Sequence, residues 1–388
     1  RLYYAVTNKH ALDLKELYTI LICSIFGMMC ISHANNLVVL FLGIETMSIP
    51  FYILTGFTRN RLTSVEGALK YFFLGAFASA FLLYGIAMIY GATGSFYYDS
   101  IREIVLNLDF YPLYLKLGIG LISVGILFKV AAFPFHQWAP DAYQAAASPL
   151  SGFLSTAGKA AAIVAFIAIA QSLMPNTLQN ESIQMLIAII AAATMIIGNV
   201  TALAQKNIKR ILAYSSIGHA GYLLMGIVAN NADGFAAMMY YSFAYTLTQV
   251  GAFAVISVFE DKNETNLMLD DFAGISKTYP LLAASMAMFM FSLAGIPPFA
   301  GFFGKYFLFK AAVDAGFTWL TIIAVITSII SVYYYLSVIM KMYFKEKEKD
   351  ISIEKSNLSK ISIVLSAAGI LIFGIFSYLI IDQATGLF

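Results

Sequence analysis

Four charged residues interrupt apolar runs. Glu45 lies in Leu40-Phe-Leu-Gly-Ile-Glu-Thr-Met-Ser-Ile-Pro50, Lys129 in Gly125-Ile-Leu-Phe-Lys-Val-Ala-Ala-Phe-Pro-Phe-His-Gln-Trp138, Lys159 in the run from Leu150, and Lys305 in Gly301-Phe-Phe-Gly-Lys-Tyr306. A charge at the centre of a membrane helix costs about 2.5 to 3.5 kcal/mol, so four unpaired ones would cost roughly 10 to 14 kcal/mol. A single carboxylate cannot neutralise three ammonium groups, so at least one lysine must be neutral or hydrated. Such a lysine gains and loses protons readily. A row of them suits proton transfer. The plainer alternative is a structural ion pair that fixes helix packing, with the remaining lysines snorkelling to the surface.

The prolines bear on the same choice. Pro134 has no N–H, so the carbonyl of Val130 loses its helical partner. Pro297 and Pro298 release the carbonyls of Leu293 and Ala294 in the same way, and Lys305 follows two turns after Pro298 on about the same face. Non-helical backbone at membrane depth persists only where it faces protein or a water-filled cavity. A lysine beside freed carbonyls therefore marks a hydrated interior.

Further polar residues accompany the charges. His136 follows Pro134, and Tyr214 and His219 lie in Tyr214-Ser-Ser-Ile-Gly-His219. Thr246, Thr248 and Gln249 share a segment with Tyr240, Tyr241 and Tyr245. Histidine passes protons by changing tautomer or charge near neutral pH, although each histidine taken alone also suits a packing role. Asp141, beyond the first break, suits a helix cap, a loop contact or an entry site for protons.

These residues must be positioned by membrane helices. Of 388 residues, 60% are hydrophobic and 11% charged, against about a quarter charged in soluble domains. Stretches of about twenty apolar residues, enough to cross ~30 Å of hydrocarbon, recur at roughly 17–34, 36–57, 66–91, 112–146, 150–173, 182–205, 207–229, 234–259, 279–315, 317–344 and 360–380. The reading is an all-α polytopic membrane protein with eleven spans. Glu45 falls about 12 Å of helix rise from the start of its span, near mid-membrane. The spans 112–146 and 279–315 are too long for one straight crossing and hold the prolines centrally, so both are discontinuous helices.

Two broken helices, each in a set of about five spans, predict an internal repeat of the transporter kind, inverted because the number per set is odd. Identity between the halves is too weak to display it. The resulting division is a short N-terminal remnant (1–16), a first repeat (17–173), a second repeat (174–344), and a charged loop with a final span (345–388).

Lysine and arginine crowd the side on which the first span begins, here called side A: Arg59, Arg61, Lys206, Lys209, Arg210, Lys262, Lys277, Lys341 and the lysines from 345 to 360 are placed in its loops. Side B has Arg102, Lys116 and Lys310. The positive-inside rule makes side A cytoplasmic and places the C-terminus on the opposite, periplasmic side. The mixed-sign run from Lys345 to Asp350 is a solvated loop, not a nucleic-acid patch. Cys23 and Cys30 serve as small apolar residues. With no Gly-rich phosphate loop, zinc spacing or haem motif, the chain is expected to carry no cofactor or metal of its own. Its first residue is Arg1 and no signal-peptide pattern precedes the first span, so the start is expected to be truncated.

Four stretches carry a resemblance: Leu40–Glu45, Phe128–Gln144, Lys206–His219 and Gly295–Lys305. Across essentially the whole chain, the sequence resembles the antiporter-like membrane subunits of respiratory complex I, the proton-translocating NADH-quinone oxidoreductase. That family has fourteen helices with inverted repeats, and the resemblance implies that the eleven spans here are the fourth to fourteenth. It implies that Glu45 is the helix-five glutamate, Lys129 its helix-seven partner, Lys159 the helix-eight connecting lysine and Lys305 the helix-twelve lysine near the exit. Lysine at both of the last two positions, with a short tail, favours subunit N over the L and M branches. The resemblance further implies a bacterial inner membrane, neighbours of types K and M, and FMN, iron–sulfur clusters and quinone held by other subunits. Related multisubunit cation/proton antiporters and membrane hydrogenases share much of the pattern. A structural spacer of the membrane arm is the alternative from another class.

Overall fold

Asparagine starts three of the helices. The side chains of Asn36, Asn207 and Asn231 accept hydrogen bonds from the free backbone N–H groups of Val39 (2.9 Å), Lys209 (3.0 Å) and Gly234 (2.8 Å), satisfying donors that a helix cannot satisfy itself. The computed structural model describes residues 14–108, 110–175, 181–260, 266–346, 353 and 357–388, and within them the chain is all-helical. The helices are α1 (Leu14–Ser32), α2 (Leu37–Thr55), α3 (Leu62–Thr93), α4 (Tyr98–Leu106), α5 (Leu113–Val130), α6 (Trp138–Ala145), α7 (Ser148–Leu173) and α8 (Glu181–Leu203). They continue as α9 (Ile208–Ala229), α10 (Ala232–Phe259), α11 (Ile275–Thr278), α12 (Pro280–Ala294), α13 (Ala300–Asp314), α14 (Thr318–Phe344), α15 (Asn357–Ile375) and α16 (Tyr378–Thr385). Most of residues 1–16 and of the 345–350 run lie outside the described residues.

Nine described helices are long and apolar enough to cross a membrane, and Glu16–Ser32 and Pro280–Ala294 are shorter apolar helices. Each of these eleven apolar helices overlaps one of the eleven spans read from the sequence. Both long spans are broken. α5 stops at Ala131 and resumes as α6, while α12 stops at Gly295 and resumes as α13. Each stop is a residue in the left-handed region, Ala131 at φ 60° and Gly295 at φ 85°. The Phe133–Pro134 and Pro297–Pro298 peptides are cis. The structure differs from the sequence reading at α4, an amphipathic helix of nine residues that buries Ile101 and Val105. It also differs at the end, where the last crossing stops at Ile375 and the chain turns into the short α16.

The two halves share local devices at a constant offset of 171 residues. Asn36 forms an isolated bridge with Tyr97, and Asn207 forms one with Met268, so in each half the start of one helix is stitched to the loop after the next. Gly27 lets α1 approach the backbone of α2, and Gly198 lets α8 approach the backbone of α9. A Cβ at either would collide with the partner helix. Close approach at small residues is how membrane helices pack without a hydrophobic driving force between them.

α9 is the most enclosed crossing, 94% buried, whereas α15 is 22% buried. The polar residues of α9 therefore face other helices. Outside the membrane, Lys341 at the end of α14 bonds to Asp270. That hydrogen bond and the adjacent ammonium charge hold the Asp270 carboxyl below its usual range.

Candidate proton-transfer site

Lys129, Lys159 and Lys305 are 6%, 3% and 4% exposed, so each must find polar partners inside the protein. Lys129, in the last turn of α5, reaches across to α2, where its Nζ donates to Ser48 Oγ (2.7 Å) and Tyr52 Oη (3.3 Å). Glu45 lies one turn before Ser48 on α2 and accepts a hydrogen bond from Ser79 of α3 (2.5 Å). Its charge acts on Lys129, but the two are not in ion-pair contact. Ser48 occupies the place between them and donates to the carbonyl of Ile44.

Lys159, near the middle of α7, donates to both the carbonyl and the hydroxyl of Ser216 on α9 (2.6 Å each), with its ammonium 5.7 Å from the centre of the Tyr245 ring. At the 171-residue offset Ser216 occupies the place in the second half that Glu45 holds in the first, and His219 the place of Ser48. His219 is buried between two tyrosines: Nδ1 meets Tyr241 Oη at 2.5 Å and Nε2 meets Tyr335 Oη at 2.9 Å. Tyr335 in turn bonds Ser215.

Lys305 on α13 donates to the carbonyls of Leu293 and Ala294 (3.0 Å each) and to Ser328 Oγ (2.9 Å). These are the two carbonyls that Pro297 and Pro298 release. The Lys305 ammonium also lies 5.1 Å from the centre of the Tyr222 ring. Tyr222 joins Thr327 (3.3 Å) and Asn199 (3.4 Å), and Asn199 accepts from Tyr334 (2.8 Å). Side chains of α8, α9, α10 and α14 thus line the interior between Lys159 and Lys305 with polar atoms.

The first break is built differently. The carbonyl of Phe128 accepts the Trp138 indole N–H (2.9 Å), so an aromatic side chain rather than a lysine serves this break. Pro134 is exposed, and His136 is half-buried beside Phe133 with no hydrogen bond to Lys129. Asp141 is not a helix cap. It accepts from Lys70 of α3 (2.9 Å) and Arg210 of α9 (2.8 Å), tying α6 to both at side A. Tyr214 lies under the Arg210 guanidinium, 5.9 Å away, off the line between the lysines.

Two kinds of residue escape sequence reading. Lys209, assigned there to a side A loop, is fully buried. It pairs with Glu260 at 2.6 Å, the two side chains being 0% and 5% exposed. Its Nζ also donates to the carbonyl of Ala146 (3.0 Å), so a charge near a helix start faces protein instead of water. The second kind comprises Ser48, Ser79, Asn199, Ser215, Ser216, Tyr222, Ser328, Tyr334 and Tyr335. Ser48, Ser215 and Ser216 stand within stretches already singled out. The others are common membrane-helix residues whose importance comes from the helix opposite.

With this geometry fixed, comparison with known proteins is decisive. The profile of the family described as "NADH:quinone oxidoreductase/Mrp antiporter, TM" matches residues 34–331. The chain belongs to this family. A relative from Chloroherpeton thalassium, named NADH-quinone oxidoreductase subunit N 1, is 47% identical over 367 residues, covering 95% of this chain and 77% of its own length. Among solved structures, a chain of respiratory complex I from Thermus thermophilus is 33% identical with a TM-score of 0.84, covering 98% of this chain and 82% of that one. A chain of the Mrp complex from Dietzia sp. superposes with a TM-score of 0.83 over 94% of this chain and 76% of that one. At 21% identity, it attests the fold alone.

Proposed function

We propose that this chain is the N-type, proton-translocating membrane subunit of an NADH-quinone oxidoreductase, in which quinone reduction elsewhere in the complex drives proton movement through Glu45, Lys129, Lys159, His219 and Lys305. The observation that carries this reading is the row of three buried lysines, each without a carboxylate in contact: Lys129 is held by two hydroxyl oxygens, and Lys159 and Lys305 by hydroxyl and carbonyl oxygens together. A buried lysine held in this way has no charge partner to lock its proton in place. Catalysis of NADH oxidation and the FMN, iron–sulfur and quinone sites belong to other subunits. The chain contributes no redox step and docks between K- and M-type neighbours in a bacterial inner membrane, with side A cytoplasmic. The shared offset of 171 residues supports two inverted repeats divided as the sequence predicts, with the Asn36 and Asn207 stitches on opposite sides.

The observed arrangement is the separated state of a switch. Glu45 is held by Ser79 and Lys129 by Ser48 and Tyr52. Bringing carboxylate and ammonium to ~4 Å contributes about 4 kcal/mol at an effective dielectric near 20, and that contact favours the protonated lysine. Moving one proton against ~150 mV requires about 3.5 kcal/mol. Closure and release of this pair are therefore of the right size to load and discharge Lys129.

The test is to measure proton pumping and quinone reduction together in vesicles carrying the intact complex with Lys129→Ala or Glu45→Ala, after confirming assembly on a native gel. Loss of both activities in an assembled complex is the expected result. Wild-type rates in both variants would make the pair structural and refute the proposal.

A further inference from the structure

Half-helix α6 ends in the carbonyls of Tyr143, Gln144, Ala145 and Ala146, which the helix itself cannot satisfy. All four are met by side chains. Ser151 of α7 donates to Tyr143 (2.6 Å) and Ala146 (3.1 Å), Arg61 to Gln144 (3.2 Å) and Ala145 (3.4 Å), and Lys209 to Ala146 (3.0 Å). α7, which begins two residues later, has no capping side chain of its own. Glu260 caps it from outside: one carboxylate oxygen accepts the Ser148 N–H (3.1 Å) and the other the Lys209 ammonium (2.6 Å). Cations thus stand at the negative end of one helix dipole and a carboxylate at the positive end of the next.

The corner after the second break is built without such help. There Gly316, at φ 87°, turns the chain so that its own N–H and that of Phe317 close on the carbonyls of Val313 and Ala312 (2.9 Å each), the ending that a left-handed glycine provides. The α6–α7 corner has no glycine and depends on residues of other helices. At the 171-residue offset, Val38 and Ile89 occupy the places of Lys209 and Glu260, so the first half keeps the fold without the pair. Buried ion pairs are often replaceable by apolar residues with no loss of stability, which leaves the position they enforce as the reason to keep one here.

We propose that Lys209 and Glu260 are positioning residues for proton transfer, holding the α6–α7 corner so that Lys129 and Lys159 keep their places against the second repeat. The inference rests on the proton-translocating reading above. On one side of the corner, α6 carries Trp138, whose indole N–H holds the Phe128 carbonyl (2.9 Å) beside Lys129 and whose ring stacks on Tyr71. On the other, Lys159 lies about three turns along α7 from Ser148. Lys209 starts α9, which supplies Ser216 to Lys159, and Glu260 ends α10, which supplies the Tyr245 ring. A displaced corner therefore moves the first break and Lys159 away from their partners together. Proton transfer requires donor and acceptor within hydrogen-bond reach, so such a displacement slows it.

The test uses Glu260→Gln in the intact complex in vesicles, with assembly confirmed on a native gel and Lys341→Met as a control that breaks a different side A ion pair. Amide hydrogen exchange across 138–148, read by mass spectrometry, reports the corner. Quinone reduction in H2O and in D2O reports the proton step: a slowed proton transfer raises the solvent isotope effect, whereas a smaller number of working complexes lowers the rate and leaves that ratio unchanged. The expected result is several-fold faster exchange in 138–148, slower quinone reduction and a larger isotope effect, with Lys341→Met like wild type in all three. Where Glu260→Gln does not assemble, the double variant Lys209→Met/Glu260→Gln replaces it, since it leaves no buried charge unpaired. Wild-type exchange, or a lowered rate with an unchanged isotope effect, overturns the positioning role even if Lys129→Ala abolishes pumping. Unchanged pumping in Lys129→Ala overturns the functional reading, even if the corner loosens as expected.

Discussion

Tyr335 concentrates the chemistry of the second half in one hydroxyl, which touches both His219 Nε2 and Ser215. A proton leaving one group must pass through that oxygen to reach the other. Tyr335→Phe removes the oxygen and retains the ring, so packing against Tyr334 survives. The expected result is an assembled complex whose pumping is slowed by roughly tenfold or more, a barrier increase of about 1.4 kcal/mol per factor of ten. Tyr240→Phe is the control, because its hydroxyl serves a carbonyl of α15 away from the lysines. Equal pumping in the two variants would remove Tyr335 from the path. The lysines and Glu45 were legible in the sequence because a charge in an apolar run must be explained. Tyr335 was not, because in Val332-Tyr-Tyr-Tyr335 only the fold decides that Tyr334 and Tyr335 face inward and Tyr333 does not.

The broken helices show the same limit at the next scale. Proline placed both breaks in the sequence, since a missing N–H and an obstructed carbonyl are local facts. What fills each break is not local: Trp138 serves the first and Lys305 the second. The two stops also differ in tolerance. Ala131 adopts a left-handed φ of 60°, which costs a non-glycine residue about 1–2 kcal/mol. A glycine there relieves that cost and loses about 0.5–1 kcal/mol through its freer unfolded chain, so Ala131→Gly should change the thermal transition of the detergent-solubilised complex very little. Gly295→Ala meets both penalties at once, since φ is 85° and the new Cβ would lie 3.0 Å from Lys305 Cδ. It should lower the transition and impair pumping. A Gly295→Ala complex indistinguishable from wild type would show that the stop does not position Lys305. α4 and the inward turn of Lys209 escaped the sequence for a related reason: hydropathy counts apolar residues over a crossing, and neither an amphipathic helix of nine residues nor a buried ion pair changes that count.

Across the whole molecule the polar interior is uneven. From Lys159 to Lys305 polar side chains of four helices line the way, but among the described residues no hydrogen bond connects the Glu45, Ser79, Ser48, Tyr52 and Lys129 group to Lys159. Phe51 occupies the gap. It is 2% exposed, follows Ser48 by one turn on α2, and presses its ring on Gly158, the residue before Lys159, where any Cβ would collide with it. Phe153 closes the other side edge-on, with ring centres 5.6 Å apart. Apolar rings exclude water, and a proton cannot cross such a gap without water or a polar group to carry it. A pump needs a barrier of this kind, since a continuous wire would let protons run back down the gradient between strokes. Phe51→Ala opens a space the size of a benzene ring beside two lysines, which invites water. With electron transfer inhibited, vesicles carrying the assembled Phe51→Ala complex should dissipate an imposed pH gradient faster than wild type, and Phe51→Leu, which keeps the space apolar and largely filled, should leak less. Identical decay in all three would place the barrier elsewhere and leave Phe51 as packing between α2 and α7.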